Sequence, residues 1–267
     1  MFGDSLSDNG NGDGQFYDGT FPLPPYYKFR FSNGPTWIEN FPADLYDYGY
    51  GGAVLNNTFS NGGPPSVMAQ INDYLIGQHF DVSAIADDTL YVFWGGNNDI
   101  IDTVEAEPQL AQNLVYGLPF LTTWQIQKLI TAGAKNILVM LLASWALAPS
   151  VTETASQAEI TQLAQLTVAI NGYIQSNVTA LAAPGLNIKV FDVPAAFEQV
   201  YQNPQEYGLV NFTAPCLANW QFFINGTKGV TPQICSNPDE FFFWDGEHPT
   251  TKVHGILAKM VMEFLGW

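Results

Sequence analysis

Short apolar runs separated by helical patterns place the strongest constraint on how this chain folds. Three such runs are TLYVFWG at 89–95, NILVMLLA at 136–143 and IKVFDV at 188–193. Near-continuous apolar segments of this kind are typical of parallel strands that are covered on both faces, whereas half-exposed strands alternate apolar and polar residues. We therefore expect strands of a buried parallel sheet at these three positions.

Amphipathic helical patterns occupy the intervals between these runs. Val67, Ile71 and Leu75 recur every four residues within 66–79. Similar apolar stripes run from Leu110 to Ile130, from Ile160 to Leu181 and from Val253 to Phe264. Strands alternating with helices indicate an α/β fold, in which a parallel sheet carries helices on both sides.

A single domain over residues 1–267 is the expected organisation. The chain shows no internal repeat, charge block or low-complexity linker, and its length is ordinary for one α/β domain. Residues 207–240 are rich in Asn, Pro and Gly, so we expect a long irregular loop there, lying over a functional edge.

The charge of the chain limits its partners. Eight basic and 25 acidic residues give a net charge of −17, which repels nucleic acid and anionic membranes. No apolar run approaches the roughly 20 residues that span a bilayer. No His, Cys or carboxylate cluster has the spacing of metal ligands, so we expect neither a metal nor another cofactor. The expected partner is a small molecule, and the expected state is a monomer.

A candidate nucleophile lies in FGDSLSDNG, at residues 2–10. Reactive groups of open α/β sheets collect at the carboxyl ends of the strands, and Ser5 directly follows the short strand-like segment MF. The same residue types also suit an ordinary turn. A serine hydroxyl is a poor nucleophile at neutral pH, so a catalytic Ser5 requires a neighbouring base.

Only one of the three histidines has the context of such a base. His79 ends an amphipathic helix, where a surface imidazole is expected, and His254 lies inside the last helix, where a role on the helix face is expected. His248 lies in the loop WDGEHPT, three residues after Asp245. A carboxylate at this spacing can fix the imidazole tautomer and stabilise the imidazolium. We therefore predict Ser5, His248 and Asp245 as nucleophile, base and orienting carboxylate.

Two glycine-rich stretches offer donors for a developing oxyanion. WGGNNDI at 94–100 follows a predicted strand, and YGYGGAV at 48–54 presents a glycine pair. In chain order, FGDSLSDNG, RFSNGPTWIE, YGYGGA, GGNND and DGEHPT resemble the motifs of the GDSL family of the SGNH hydrolase superfamily. The likeness covers the whole chain, includes the segment 203–217, and is closest to a fungal-type secreted esterase or lipase.

This resemblance implies a fold and further site residues. The implied fold is a flavodoxin-like, three-layer α/β/α sandwich around a parallel sheet of about five strands. The absence of a Gly-x-Ser-x-Gly elbow also favours it over the other common serine-hydrolase fold. The implied oxyanion donors are the Ser5 N–H, the Gly52 N–H and the Asn98 side-chain amide. The choice of Gly52 over Gly51, and of Asn98 over Asn97, depends on the resemblance alone.

Several features favour a secreted, glycosylated protein. Cys216 and Cys235 lie close together in a polar stretch and are predicted to form a disulfide, with two free thiols as the alternative. Four Asn-x-Ser/Thr sequons begin at Asn56, Asn177, Asn211 and Asn225. Because so little strand precedes Ser5, we expect further residues upstream of Met1, including a secretion signal.

The substrate expected first is an acetyl ester on a carbohydrate. Core packing is the expected role of any one aromatic side chain, but six of them could stack on sugars: Tyr26, Tyr27, Trp37, Trp220, Phe222 and Trp244. A lipase or lysophospholipase with an apolar acyl channel is the main alternative. More remote alternatives are a glycosidase that uses two carboxylates, such as Asp99 and Asp245, and a silent sugar-binding protein.

Overall fold

The computed structural model describes residues 1–11, 22–57, 63–77 and 87–267. Its strands are β1 (Phe2–Gly3), β2 (Leu90–Trp94), β3 (Asn136–Met140) and β4 (Asn187–Phe191). Its α-helices are α1 (Val67–Gly77), α2 (Asn97–Ala106), α3 (Leu114–Thr131), α4 (Pro149–Thr152), α5 (Gln157–Thr179), α6 (Val193–Gln202), α7 (Pro204–Tyr207), α8 (Trp220–Ile224) and α9 (Thr251–Leu265). Each of the three predicted runs overlaps a strand, and β4 begins one residue before the run predicted at 188–193.

All four strands are parallel and neighbour one another in chain order, β1-β2-β3-β4. Phe2 pairs with Phe93, Leu90 with Asn136, and Asn136 with Asn187. The carboxyl ends of the strands therefore meet at one edge of the sheet, as in other open α/β folds.

A fifth strand is only partly formed in the described residues. The extended segment 46–50 lies along the free edge of β1, where three backbone hydrogen bonds of 2.7, 2.9 and 3.2 Å join it to residues 1–3. The Gly3 N–H instead donates to the side-chain oxygen of Gln70, at 2.9 Å. The Gln70 amide thus interrupts the ladder, so the sheet has four regular strands where about five were expected.

Side chains of the central strands alternate between two apolar clusters. Tyr91 and Phe93 of β2 belong to a cluster built with α1, α3 and α5. Val92 and Trp94 belong to a second cluster, built with α6 and α9 on the opposite face. This period of two places helices on both faces of the sheet, which confirms the predicted α/β/α sandwich.

The irregular region 207–240 is tied to the segment that precedes Asp245. Cys216 and Cys235 form a disulfide, and Cys216 belongs to a small apolar cluster with Trp244. The Cys216 N–H donates to the Phe243 carbonyl at 3.0 Å, and the Leu217 N–H donates to the Trp244 carbonyl at 2.8 Å. The disulfide loop therefore supports the segment that leads to Asp245.

Removing the disulfide is expected to destabilise the fold. The two cysteines are 19 residues apart, so the unfolded chain regains the entropy of a loop whose closure contributes about 3 kcal/mol. Urea unfolding of the Cys216→Ser/Cys235→Ser variant should show a correspondingly lower free energy of unfolding. Reduced wild-type protein serves as the control and should match the variant. Equal midpoints for the oxidised wild type and the variant would contradict this role.

Candidate active site

Ser5 lies in a tight turn two residues beyond the end of β1. The N–H groups of Ser7 and Asp8 both donate to the Asp4 carbonyl at 3.0 Å. The Asp4 carboxylate accepts the N–H of Leu6 at 3.1 Å, which closes the turn from its other side. The Gly-Asp-Ser-Leu sequence therefore forms a turn, and this turn positions Ser5 at the carboxyl edge of the sheet.

Ser5, His248 and Asp245 form one continuous chain of hydrogen bonds. The Ser5 Oγ lies 2.8 Å from His248 Nε2, across 243 residues of sequence. His248 Nδ1 lies 2.8 Å from Oδ2 and 3.0 Å from Oδ1 of Asp245. A carboxylate can only accept, so Nδ1 carries the proton and Nε2 is left to accept from the serine hydroxyl.

The loop between Asp245 and His248 folds back on its own carboxylate. Asp245 Oδ1 accepts the N–H of Glu247 at 2.7 Å and that of His248 at 2.6 Å. Gly246 is required between them, because a Cβ at this position would lie 2.2 Å from the ring of Trp220. These bonds explain why a spacing of three residues brings the ring onto the carboxylate.

Burial and mutual charge set the protonation of this pair. Burial alone would raise the pKa of Asp245, but the His248 charge and hydrogen bonds from His248 and Tyr26 lower it below its usual value. Burial alone would lower the pKa of His248, but Asp245, Glu247 and Asp4 raise it above 6.5. The pair therefore favours an ionised carboxylate and a more basic imidazole than usual.

The two glycines of the pair differ: Gly51 donates its N–H within the protein, and Gly52 is an exposed residue. The Gly51 N–H donates to the Asp8 carboxylate at 2.7 Å. Gly52 is exposed and has a φ of +72°, a left-handed conformation that favours glycine. Gly52 is not among the described residues that line the cleft beside Ser5. It is held near the cleft by Asn98, whose amide donates to the adjoining Ala53 carbonyl at 2.9 Å.

Asn97 and Asn98 both line the cleft at the start of α2. The Asn97 amide donates to the Asp4 carboxylate at 3.3 Å. An amide nitrogen carries two hydrogens, so the bond from Asn98 to Ala53 leaves its second hydrogen for a bound group. The Asp99 carboxylate accepts the Leu55 N–H at 2.9 Å, which fixes α2 to the glycine segment.

The cleft is polar at one end and apolar along its walls. Its polar end carries Ser5, Asn97, Asn98, Glu247 and His248. Its apolar walls include Leu6, Ile101, Ala143, Trp145, Leu147, Ala148, Phe197, Tyr201, Phe242 and Phe243. Asp99 and Asp245 are absent from the described lining residues, so they do not form the carboxylate pair that a glycosidase would use across this cleft.

Half of the aromatic side chains considered for sugar stacking have the role in core packing that was expected of any one of them. Tyr26, Trp37 and Trp244 are buried, because they pack within the apolar clusters. Phe222 is 49% exposed, and Tyr27 and Trp220 are half-buried. The Tyr26 hydroxyl donates to Asp245 Oδ2 at 2.7 Å. Sequence reasoning missed this contact, since nothing local relates two residues 219 positions apart.

The remaining predicted positions that the structure describes are not among the residues that line the cleft. Asn177 lies in α5, Asn211 pairs with Phe241 in an isolated bridge, and Asn225 is exposed after α8. Asn56 is described, but its sequon extends to Thr58, which lies outside the described residues. His79 also lies outside them. His254 is buried in α9, where burial lowers its pKa to about 3.

Within the described ranges, no helix is long and apolar enough to cross a membrane. In the same ranges, no cluster of His, Cys, Asp and Glu side chains is arranged to hold a metal ion.

The parallel sheet and the Ser-His-Asp chain of hydrogen bonds at its carboxyl edge have the arrangement that serine hydrolases use. Residues 1–261 match the family described as GDSL-like Lipase/Acylhydrolase. The chain therefore belongs to this family.

Curated relatives come from bacteria and plants. The thermolabile hemolysin of Vibrio parahaemolyticus is 30% identical over 98% of this chain, which spans 62% of that protein. The phosphatidylcholine-sterol acyltransferase of Aeromonas hydrophila is 25% identical, with 99% of this chain and 89% of that protein covered. The GDSL esterase/lipase LTL1 of Arabidopsis thaliana is 24% identical, with 98% and 85% covered. The chain thus spans about three fifths of the hemolysin.

The pH dependence of kcat/KM should report the raised pKa of His248. The imidazole must be neutral to accept a proton, so activity should rise with pH through a midpoint above 6.5. Asp245→Asn removes the negative charge and the preferred tautomer, so kcat should fall about 10⁴-fold. The control is Asp239→Asn, an exposed carboxylate in the turn Pro238–Glu240. A wild-type midpoint at or below 6.5 would contradict the assigned charge environment.

Proposed function

We propose that this chain hydrolyses carboxylic esters through Ser5, His248 and Asp245, by way of an acyl-enzyme. The observation that carries the proposal is the unbroken chain of hydrogen bonds from Ser5 Oγ to the Asp245 carboxylate. Its outer end lies in a cleft, and its inner end is buried. Membership in a lipase/acylhydrolase family supports the same chemistry.

The proposed reaction proceeds in two transfers. His248 Nε2 takes the hydroxyl proton while Ser5 Oγ attacks the ester carbonyl, and the imidazolium is stabilised by Asp245. The alcohol then leaves with the proton from His248, which leaves an acyl group on Ser5. Water attacks this acyl-enzyme with His248 again as base, and the acid is released as Ser5 regains its proton.

The proposed oxyanion donors are the N–H groups of Ser5 and Gly52 and the amide of Asn98. Among the described residues, neither of these two backbone N–H groups has a hydrogen-bond acceptor. The neighbouring Gly51 N–H is already bonded to Asp8, which favours Gly52 for this role. Loss of one such donor typically lowers kcat by about 10²–10³-fold.

The proposed acyl group is a lipid-type chain longer than acetyl. Apolar side chains dominate the cleft walls, and a methyl group alone would leave most of that surface uncovered. The names of the relatives, which include an acyltransferase of phosphatidylcholine and a lipase, support this choice. Acetyl esters of carbohydrates are the alternative, weakened by the burial of Tyr26, Trp37 and Trp244.

Secretion is part of the proposal. The disulfide between Cys216 and Cys235 is typical of an oxidising compartment. The exposed sequon residue Asn225 is the most accessible of the four proposed glycan acceptors, since the others are half-buried. A monomeric enzyme acting on a small ester completes the proposed description.

Hydrolysis of p-nitrophenyl esters tests both the nucleophile and the acyl preference. Ser5→Ala should lower kcat by about 10⁴-fold or more, because triad members act as a unit. The matched control is Ser176→Ala, at an exposed position of α5, which should retain full activity.

The acyl preference should appear as a rise in kcat/KM from acetate to octanoate. Each methylene buried in the cleft contributes about 0.8 kcal/mol, so the rise should be about fourfold per methylene until the cleft is filled. Turnover by Ser5→Ala at the wild-type rate would overturn the proposed nucleophile. A preference for acetate would instead favour the acetylesterase.

A further inference from the structure

We propose that Tyr26 is a positioning residue of this site, whose hydroxyl holds the Asp245 carboxylate in the orientation that aligns His248 with Ser5. The proposal rests on the proposed esterase function. It assigns Tyr26 a role in catalysis although its side chain does not reach the cleft.

Both oxygens of the Asp245 carboxylate accept hydrogen bonds. Oδ1 accepts the N–H groups of Glu247 and His248, which belong to its own loop. Oδ2 accepts the Tyr26 hydroxyl at 2.7 Å, and it shares the ring N–H of His248 at 2.8 Å. Among the described hydrogen bonds to this carboxylate, the one from Tyr26 alone comes from a distant part of the chain. It therefore fixes the carboxylate plane relative to the rest of the protein.

Both partners of this bond are excluded from water. Tyr26 is 3% exposed and Asp245 is 0% exposed. Burial and the adjacent Asp245 charge raise the pKa of Tyr26 well above 10, so its hydroxyl stays protonated at neutral pH. Because a carboxylate only accepts, the hydroxyl must be the donor. A hydrogen bond to a buried charge is stronger than one between neutral groups.

The ring of Tyr26 is itself held by neighbours on two sides. It makes edge contacts with Trp244 at 6.4 Å and with Phe31 at 6.3 Å between ring centroids. The Phe31 ring in turn lies 5.1 Å from the ring of His248. Tyr26 also belongs to the apolar cluster that contains Cys216. These contacts leave the hydroxyl with a defined direction towards Asp245.

Removal of the hydroxyl should alter both the orientation and the charge of Asp245. Oδ2 would keep only the bond to His248, so the carboxylate gains freedom to rotate and its charge is less dispersed. The other ionisable groups around His248, namely Glu247, Asp4 and His254, remain in place. A less dispersed charge on Asp245 stabilises the imidazolium further. The acid limb of the pH profile, which is the rise of kcat/KM with pH as His248 loses its proton, should then move to higher pH.

The test is the Tyr26→Phe variant, which keeps the ring and its packing. With a p-nitrophenyl ester as substrate, kcat should fall about tenfold and KM should stay within about twofold of wild type. The acid limb should move to higher pH. The matched control is Tyr27→Phe, which removes a hydroxyl one position away on a half-buried ring that faces Lys28 and Arg30. That control should match wild type in all three quantities.

A background lacking the carboxylate makes the test specific. If Tyr26 acts through Asp245, Tyr26→Phe should have no further effect on kcat when combined with Asp245→Ala. The proton NMR resonance of the His248 Nδ1–H, identified by its loss in His248→Gln, should also shift in Tyr26→Phe.

A merely structural role for Tyr26 predicts a different pattern. Tyr26→Phe would then lower the unfolding temperature but leave kcat, the acid limb and the Nδ1–H resonance as in wild type. That outcome would overturn the proposal. Failure of the esterase function itself would be seen separately, as hydrolysis by wild type that does not depend on Ser5.

Discussion

The contact between Ser5 and His248 is the interaction on which the rest of this site depends. It joins a turn at the start of the chain to a loop near its end, and the hydrogen bond measures 2.8 Å. Neither segment could hold this geometry alone. The apolar cluster on one face of the sheet contains Leu6 from the first segment and Val253 and Leu257 from the helix after the second. Packing beneath the sheet edge thus fixes the distance between Ser5 and His248.

Carboxylates surround this contact in an already acidic protein. Burial raises the pKa of Asp4 to about 6 and that of Glu247 to about 7, against the opposing charge of His248 in both cases. Asp245 differs because the charge of His248, together with hydrogen bonds from His248 and Tyr26, outweighs burial and lowers its pKa. The site therefore places one stable anion behind the imidazole, while Asp4 and Glu247 take up protons at a higher pH than ordinary carboxylates do.

Features local in sequence were predictable, and contacts between distant segments were not. The apolar runs at 89–95 and 136–143 identified β2 and β3, because buried strands have a recognisable composition. The spacing of Asp245 and His248 indicated a pair that one loop could close. The Gln70 amide that interrupts the edge of β1, and the burial of Tyr26 against Asp245, arise from tertiary packing. No periodicity or motif in the chain reports contacts across 67 or 219 residues.

Covalent labelling identifies the nucleophilic atom and does not depend on the natural substrate. The protein would be treated with an alkyl fluorophosphonate, and its intact mass and proteolytic peptides measured. We expect one phosphonyl adduct per chain, located on Ser5, and its loss in His248→Gln, where the proposed base is absent. An adduct on another residue, or none on active wild-type protein, would contradict Ser5 as the nucleophile.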